Sequence, residues 1–180
     1  MDGDALEINR IWAMPNKNTF KIKPIRELIE RRIKEVKDKN PNAIIIDPFA
    51  NQSKLADITN DLDNQYDTDY HMDALDFLKM FDDKSVDMVL YDPPFSPRQV
   101  AECYKKLGKT VNMQTTQSSY WSKHKKEISR IVKKNGIVIT CGWNSGGIGK
   151  TNGFEIVEIL LVPHGGWHND TIVTVDKKTK

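Results

Sequence analysis

Long hydrophobic runs and cysteine are both scarce in this sequence, and each scarcity excludes a class of protein. The apolar runs are too short to span a bilayer, and the first residues, MDGDALEINR, lack the pattern of a secretory signal. Cys103 and Cys141 are too few for a disulfide framework, and they fall in a predicted helix and a predicted strand. We therefore expect a cytoplasmic protein with reduced thiols and no membrane partner.

The net charge is small, but the charge is unevenly distributed. The 180 residues, 38% hydrophobic and 29% charged, suit one domain over residues 1–180 with its own core. A formal net charge of +2 does not by itself indicate nucleic acid. Aspartate dominates Asp57–Asp92, whereas lysine dominates Lys105–Lys134 and Lys177–Lys180. The asymmetry fits an acidic pocket beside a basic surface; it also fits solvated helix faces, the commoner explanation for a lysine cluster.

Short apolar runs alternate with segments of helical periodicity, which predicts a mainly parallel α/β sheet with an antiparallel final pair. The N-terminal segment Met1–Asn18 reads as irregular, Lys109–Gln117 as a polar loop and Asn144–Gly153 as a glycine-rich loop. The predicted helices are Pro24–Asn40, Met72–Met80, Pro97–Leu107 and Ser119–Lys134, the last closed by Asn135-Gly136. The predicted strands are Ala43–Ile46, Leu55–Thr59, Val86–Tyr91, Ile137–Cys141, Phe154–Val162 and Thr171–Val175.

The stretch VDMVLYDPPFSPR contains the strongest candidate for chemistry. A buried strand ends at Asp92, and Pro93 and Pro94 prevent it from continuing as strand or helix. Phe95 follows at once, and in open α/β sheets ligands bind at the carboxyl ends of strands. The alternative is that Asp-Pro-Pro only terminates the strand.

Acidic residues follow two further predicted strands. Asp47, Asp61 and Asp92 each end a strand, and the carboxyl ends of parallel strands meet at one sheet edge. A carboxylate after the second strand is the usual means of holding a ribose through its hydroxyls. These residues predict a ligand that contains a nucleoside.

The order of these motifs resembles that of the amino-group DNA methyltransferases. The segment KIKPIRELIERRI followed by AIIIDPFA is similar to the joined cofactor motifs of that family, and DPPF is similar to its catalytic Asp-Pro-Pro-aromatic motif. The resemblance runs from Phe20 to about Val175. It implies a class I methyltransferase fold, which is a Rossmann-like, mostly parallel seven-stranded sheet with a C-terminal antiparallel hairpin. It also implies S-adenosylmethionine as cofactor.

The resemblance also implies which side chains hold the cofactor. Asp47 and Phe49 would contact its methionine part, Asp61 its ribose and Asp73 its adenine amine. The residues that match the helix start closing this pocket are Thr19, Phe20, Lys23 and Pro24.

The four residues of DPPF suit methyl transfer to the exocyclic amine of adenine. That amine is a poor nucleophile because its lone pair is delocalised into the ring. The Asp92 carboxylate and the Pro93 carbonyl can each accept one of its N–H bonds, and Pro93 and Pro94 keep the turn rigid. Phe95 can stack on a base that has left the duplex. The reaction needs neither a metal nor a covalent nucleophile.

One segment departs from the family pattern. Family members follow DPFA with a glycine-rich turn, whereas Asn51–Lys54 contains no glycine. Glycine at such a turn permits close approach of the backbone to the ligand. Either polar side chains rebuild the loop, or cofactor binding is weak or altered. Because asparagine adopts left-handed geometry more readily than most residues, we favour a rebuilt loop with Asn51 as a cofactor contact.

Contacts with nucleic acid are expected from residues near the same sheet edge. Trp143, Trp167, His168 and Asn169 could line the target base or could simply pack in turns, and Arg98 is a candidate phosphate contact. The basic helix around residues 120–126 could bind phosphates, or it could bury Trp121 and leave its lysines in solvent. The glycines of HGGWH argue against a metal site at its histidines.

The favoured function is therefore an adenine-N6 DNA methyltransferase without a separate target-recognition domain. Recognition would come from loops such as Lys105–Ser122 and Pro163–Asp170 or from a second subunit, which leaves a homodimer open. Two alternatives are an RNA base-amine methyltransferase and a non-catalytic binding protein on a methyltransferase fold. The intact DPPF argues against the second alternative.

Overall fold

A seven-stranded sheet orders the molecule, with helices against both of its faces. The computed structural model describes residues 5–110 and 119–180. The strands are β1 (Glu7–Arg10), β2 (Ile45–Asp47), β3 (Ile58–Thr59), β4 (Val86–Tyr91), β5 (Val132–Gly142), β6 (Phe154–Val162) and β7 (Thr171–Lys178). The helices are α1 (Lys23–Lys39), α2 (Ala74–Lys79), α3 (Pro97–Lys106) and α4 (Ser119–Ile131), with 3-10 turns at Thr19–Lys21 and Lys150–Asn152.

The strand order is β1-β6-β7-β5-β4-β2-β3, and only β7 runs antiparallel to its neighbours among the described strands. This confirms the predicted mainly parallel sheet with a closing antiparallel hairpin. The connection between β6 and β7 is too short for a crossover, so the chain must reverse there. The carboxyl ends of β2, β3 and β4 consequently meet at one edge. No helix within the described ranges is both long and apolar enough to cross a membrane.

Strand β4 lies in the middle of the core and contributes side chains to both layers. Met88 and Leu90 pack in the same cluster as Ile25 and Ile29 of α1. Val89 and Tyr91 pack on the opposite face, in a cluster that includes buried residues of α2 and α4. Because successive strand residues point to opposite faces, a continuous apolar run is what a doubly covered strand requires.

The N-terminal segment corrects the first prediction. Glu7–Arg10, expected to be irregular, forms β1 and pairs in parallel with β6, with Glu7 opposite Glu158. All four residues of β1 are exposed, so no hydrophobic alternation marks the strand. It forms because β6 offers an unpaired backbone edge. This strand is the seventh of the sheet.

The start of β5 corrects the second prediction. The basic helix was expected to reach Lys134 but ends at Ile131, because Val132 already pairs with Val86 of β4. The Asn135-Gly136 pair lies inside β5, where Asn135 has a φ of +66°. Long-range pairing thus overrides the local helical pattern.

Two further boundaries are shorter than predicted, and one prediction lies largely outside the described residues. β3 is confined to Ile58–Thr59, because the Asp57 carboxylate turns back and accepts the Ile45 N–H at 2.9 Å. Helix α2 begins only at Ala74. Most of the polar loop expected at Lys109–Gln117 falls in residues 111–118, which are not described.

Candidate active site

A cavity of about 590 Å³ opens at the carboxyl ends of β2, β3 and β4. Its wall includes the strap (Lys17–Lys21), the β2 loop (residues 48–55), an acidic turn (Asp61–Asp63) and the catalytic turn (Asp92–Phe95). Helix α3 contributes a further side. A cavity of this volume suits a small organic ligand.

Asp92 ends β4 at the wall of this cavity. Burial raises the pKa of Asp92 to about 7, against the opposing effect of a hydrogen bond from the Thr19 hydroxyl in the strap. A carboxyl that titrates near neutral pH is suited to exchanging a proton with a substrate. The strap therefore contributes a hydrogen-bond donor to the Asp92 carboxyl.

The backbone of the catalytic turn is fixed from two other elements. The carbonyl of Pro94 accepts a hydrogen bond from the indole Nε1 of Trp121 in α4, at 2.9 Å. The N–H of Phe95 donates to Oε1 of Gln99 in α3, at 2.6 Å. These bonds add to the rigidity that two consecutive prolines impose. The turn is therefore pre-organised in the absence of any ligand.

An aromatic pair stands beside the turn. The rings of Phe95 and Trp143 meet edge to face, with centroids 5.5 Å apart and planes 72° apart. Phe95 lines the cavity, whereas Trp143 lies outside the cavity wall and is 42% exposed. The pair offers aromatic surface to a planar ligand next to the Asp92 carboxyl.

Asp47 ends β2 and is completely buried behind the cavity wall. Its Oδ1 accepts the N–H of Phe49 at 3.0 Å, while its Oδ2 has no hydrogen-bond partner among the described residues. Burial raises the pKa of Asp47 well above its usual range, and Asp92 and Asp61 raise it further. Such an orphaned buried oxygen is rare in folded proteins, and a ligand donor is one means of satisfying it.

The glycine-free β2 loop is held by side chains and by a left-handed asparagine. Asn51 has a φ of +52°, and its N–H donates to Oδ2 of Asp61 at 2.8 Å. The N–H of Ala50 donates to the Asn60 carbonyl at 2.9 Å. Asparagine tolerates this backbone region, so the loop turns where a glycine would ordinarily be needed. The buried Oδ1 of Asn51 has no partner within residues 5–110 and 119–180.

Asp61 lies at the cavity wall after β3, and its carboxylate organises the backbone on both sides. Besides the Asn51 N–H, it accepts the N–H of Asp63 at 2.9 Å through Oδ1. Burial raises the pKa of Asp61, and these two hydrogen bonds counteract that effect. Through these two hydrogen bonds, Asp61 connects the acidic turn to the β2 loop.

Asp73 caps α2 and connects it to α3. Its Oδ1 accepts the Leu75 N–H at 2.9 Å, which satisfies a free donor of the first helical turn. Its Oδ2 accepts a hydrogen bond from the hydroxyl of Tyr104 in α3. Asp73 and Tyr104 both line the cavity, so this bond fixes the wall opposite the β2 loop.

The structure brings ten of the predicted site residues together in the cavity wall and places eight elsewhere. Lys23 is exposed beside Glu27, and Arg98 is exposed in an ion pair with Glu102. The residues in the wall are Thr19, Phe20, Phe49, Asn51, Asp61, Asp73, Asp92, Pro93, Pro94 and Phe95. Those outside it are Lys23, Pro24, Asp47, Arg98, Trp143, Trp167, His168 and Asn169.

Several residues that shape the site carry no signal in the sequence. Trp121 is 27 positions away from the carbonyl that it binds. The hydroxyl of Tyr91 forms a hydrogen bond with Nδ1 of His124 at 2.9 Å, which attaches α4 to β4 just before the catalytic turn. Burial lowers the pKa of His124 to about 4, so the imidazole is neutral at physiological pH. Neither contact follows from local spacing.

The histidine of the β6–β7 loop that lies nearest to β6 is committed to the scaffold. His164 forms one hydrogen bond with the Ala13 carbonyl and one with the Thr171 hydroxyl, each at 2.8 Å. Both ring nitrogens are thereby used. No cluster of three or more histidine, cysteine, aspartate or glutamate residues in the described part of the chain could hold a metal ion.

Comparisons with known proteins bear on the fold. No family model matches the sequence, and no curated protein matches it significantly. The 1,6-didemethyltoxoflavin-N1-methyltransferase of Burkholderia thailandensis, solved with 1,6-didemethyltoxoflavin and S-adenosylhomocysteine, matches with a TM-score of 0.52 at 9% identity, over 84% of this chain and 78% of that chain. A Haemophilus influenzae protein described as a methylase matches with a TM-score of 0.54 at 11% identity, over 85% of this chain and 89% of that chain. The chain therefore has the Rossmann-like fold of these methyltransferases.

Proposed function

We propose that this protein is an S-adenosylmethionine-dependent methyltransferase that acts on the exocyclic N6 amine of adenine in DNA. The observation that carries the proposal is the fixed catalytic turn, which presents a carboxyl with a pKa of about 7 to a cavity of nucleotide size. The shared fold supports methyl transfer as the reaction class. The S-adenosylhomocysteine bound to the Burkholderia enzyme supports the choice of cofactor.

The residues around the β2 loop fit that cofactor. Oδ1 of Asn51, in the cavity wall, is a buried acceptor without a partner in the described chain, and a ligand with an ammonium group or hydroxyls supplies a suitable donor. Asp47 would support the methionine part of the cofactor from behind the wall. Asp61 would hold the ribose and Asp73 the adenine amine, while Phe49 would pack against the ligand. When bound, the cofactor supplies the activated methyl group.

The catalytic turn would prepare the amine for attack. In this proposal the Asp92 carboxylate accepts one N–H bond, and the Pro93 carbonyl accepts the other. Trp121 already occupies the Pro94 carbonyl, whereas no donor among the described residues reaches the Pro93 carbonyl. Two fixed acceptors favour a pyramidal nitrogen with a free lone pair. Asp92 can then take the proton that the nitrogen must lose, since its pKa is about 7.

The target base would stack on Phe95, with the edge of Trp143 behind it. A base within a duplex cannot reach a cavity of this kind unless it leaves the helical stack. The backbone of Phe95 is fixed by its N–H bond to Gln99 and its ring packs against Trp143, so little conformational entropy is lost when the base docks.

The test uses methyl-labelled cofactor with unmethylated DNA and, separately, with RNA. After digestion, chromatography should find the label in N6-methyladenine from DNA, and Asp92→Ala should abolish it. Asp82→Ala is the matched control, because the Asp82 side chain lies on the loop between α2 and β4, at the opposite end of that strand.

Other outcomes would contradict the proposal in distinguishable ways. Label recovered only in RNA would identify a base-amine methyltransferase acting on RNA. No label in either polymer, from a folded protein that binds the cofactor calorimetrically, would identify a binding protein on this fold.

A further inference from the structure

Three of the four tryptophans are exposed, and all three lie at the carboxyl edge of the sheet. Trp12 follows β1 and is 58% exposed, Trp143 follows β5, and Trp167 is fully exposed between β6 and β7. We name these residues the tryptophan shelf. Exposed apolar surface concentrated at one place on a protein indicates a binding surface, whereas isolated exposed residues do not.

The outer part of the shelf is held rigidly. The Trp12 indole lies against Gly165, where a β-carbon would stand 3.5 Å from Nε1. The neighbouring Ala13 donates its N–H to the Pro163 carbonyl at 3.2 Å and accepts a hydrogen bond from His164 Nδ1 at 2.8 Å. Pre-organised aromatic surface loses little entropy on binding, as a recognition platform requires.

The shelf continues directly into the catalytic cavity. On the outer side, the chain passes from Trp12 to the strap, whose Thr19 binds Asp92. On the inner side, Trp143 contacts Phe95 at 5.5 Å between ring centroids. From β1 across β6 and β7 to β5 is three strand spacings, or about 15 Å. A polymer with its reacting unit at Asp92 would therefore extend over the shelf.

We propose that the tryptophan shelf is a stacking platform for unpaired bases flanking the target adenine, so that the preferred substrate is single-stranded DNA. The inference rests on the proposed function. Indole rings stack on any base whose face is free, without regard to sequence, and a duplex hides those faces inside its own stack. Lys17, which lines the neighbouring cavity, supplies positive charge for the phosphates, and Arg26 lines it too but pairs with Glu30 at 3.6 Å. If the shelf instead bound a second copy of the chain, it would have no need to adjoin the catalytic turn.

The test measures fluorescence anisotropy of a labelled oligonucleotide, as a single strand and as a duplex. The native protein should bind the single strand at least tenfold more tightly. Trp12→Ala and Trp167→Ala should each weaken single-strand binding about tenfold, whereas Trp167→Phe, which keeps a stacking ring, should cost about threefold or less. The control is Met80→Ala, a 45% exposed residue just after α2.

Three results would overturn the inference. The first is unchanged single-strand affinity in the variant that carries both Trp12→Ala and Trp167→Ala. The second is equal or tighter binding of the duplex, and the third is a combined variant that alters only the oligomeric state in sedimentation. The labelled-cofactor assay separates this failure from failure of the proposed function. Methylation of DNA with tryptophan-independent binding rejects the shelf alone, while tryptophan-dependent binding without methylation rejects only the proposed function.

Discussion

The catalytic turn and the β2 loop stand on two sides of one cavity and are built by opposite means. In the catalytic turn, side chains from α3 and α4 bind the backbone at Pro94 and Phe95. The Asp92 carboxyl accepts a hydrogen bond from the Thr19 hydroxyl, and burial raises its pKa to about 7. In the β2 loop the carboxylates themselves bind the backbone, since Asp61 accepts the N–H of Asn51.

The two acids differ in what holds the backbone around them. A carboxylate that accepts backbone N–H bonds fixes the chain around it, and these bonds favour its ionised form. Asp61 accepts two such bonds, which counteract the rise in its pKa on burial, and it holds the turn that glycine would otherwise form. Asp92 is available to a substrate because other residues hold its turn. In the β2 loop, Asn51 in left-handed geometry, held by Asp61, therefore takes the place of the missing glycines.

The largest effect is expected from Asp92→Ala. Removal of the acceptor that activates the amine should lower kcat about 10³-fold, because the loss of a pre-organised electrostatic contact has this scale. Cofactor affinity, measured by calorimetry, should stay within about twofold of native, which would separate the two halves of the cavity. A loss of cofactor affinity as large as the loss of kcat would show that the two sides of the cavity do not act separately.

The pH dependence should follow Asp92. Below its pKa of about 7 the carboxyl is protonated and carries no charge to favour the amine, so kcat at saturating cofactor should fall about tenfold per pH unit below 7. Asp176, whose pKa is raised to about 6 by burial in β7, provides the control. Asp176→Asn should leave the midpoint of the kcat–pH profile unchanged. A shifted midpoint in that variant would show that the profile reports Asp176 and not Asp92.

Trp121→Phe sharpens the comparison from the side of the turn. The substitution keeps an aromatic ring but deletes the donor to the Pro94 carbonyl, so the turn is held less firmly. We expect kcat to fall about 30-fold at unchanged cofactor affinity, on the scale of a few kcal/mol for a misplaced catalytic group. The opposite pattern, with cofactor affinity lost and kcat intact, would place Trp121 in the cofactor half.

Asn51 tests the β2 loop. Asn51→Ala places alanine, whose side chain cannot form local hydrogen bonds, at a φ of +52°. The substitution also removes the side-chain oxygen that lacks a partner among the described residues, so cofactor affinity should fall about tenfold. Asn51→Gly relieves the backbone strain and removes only the oxygen, so its loss should be about threefold. Calorimetric titration distinguishes the two. Equal losses would show that the oxygen, and not the backbone geometry, decides binding.

The smallest effect is on stability and has a definite sign. Because the pKa of Asp92 is raised in the folded protein, the native state binds more protons than the unfolded chain between pH 4 and 7, and stability falls as pH rises through that window. Asn carries no charge at any pH. Asp92→Asn should therefore raise Tm at pH 8 and leave it unchanged at pH 4. A lower Tm at pH 8 would contradict the raised pKa.

Local sequence determines the middle of the sheet and the catalytic turn. Val86–Tyr91 forms β4 with the predicted bounds, because a run that is apolar apart from Asp87 fits a strand covered on both faces. Ser96 caps α3 by accepting the Gln99 N–H, and Pro97 occupies the first turn. These features depend on residues within a few positions of one another, so their backbone preferences are present in the chain before it folds.

Only the tertiary structure decides what holds and extends that turn. Strand β1 forms from four exposed residues because β6 presents a free edge, and the bond from Trp121 to Pro94 joins positions 27 apart. Trp12 reaches the shelf only because β1 brings it against Gly165. Such contacts depend on the closure of long chain segments and not on local conformational preference. The sequence by itself therefore determined that β4 ends at Asp92 in a two-proline turn, and the folded chain decided which residues hold that turn.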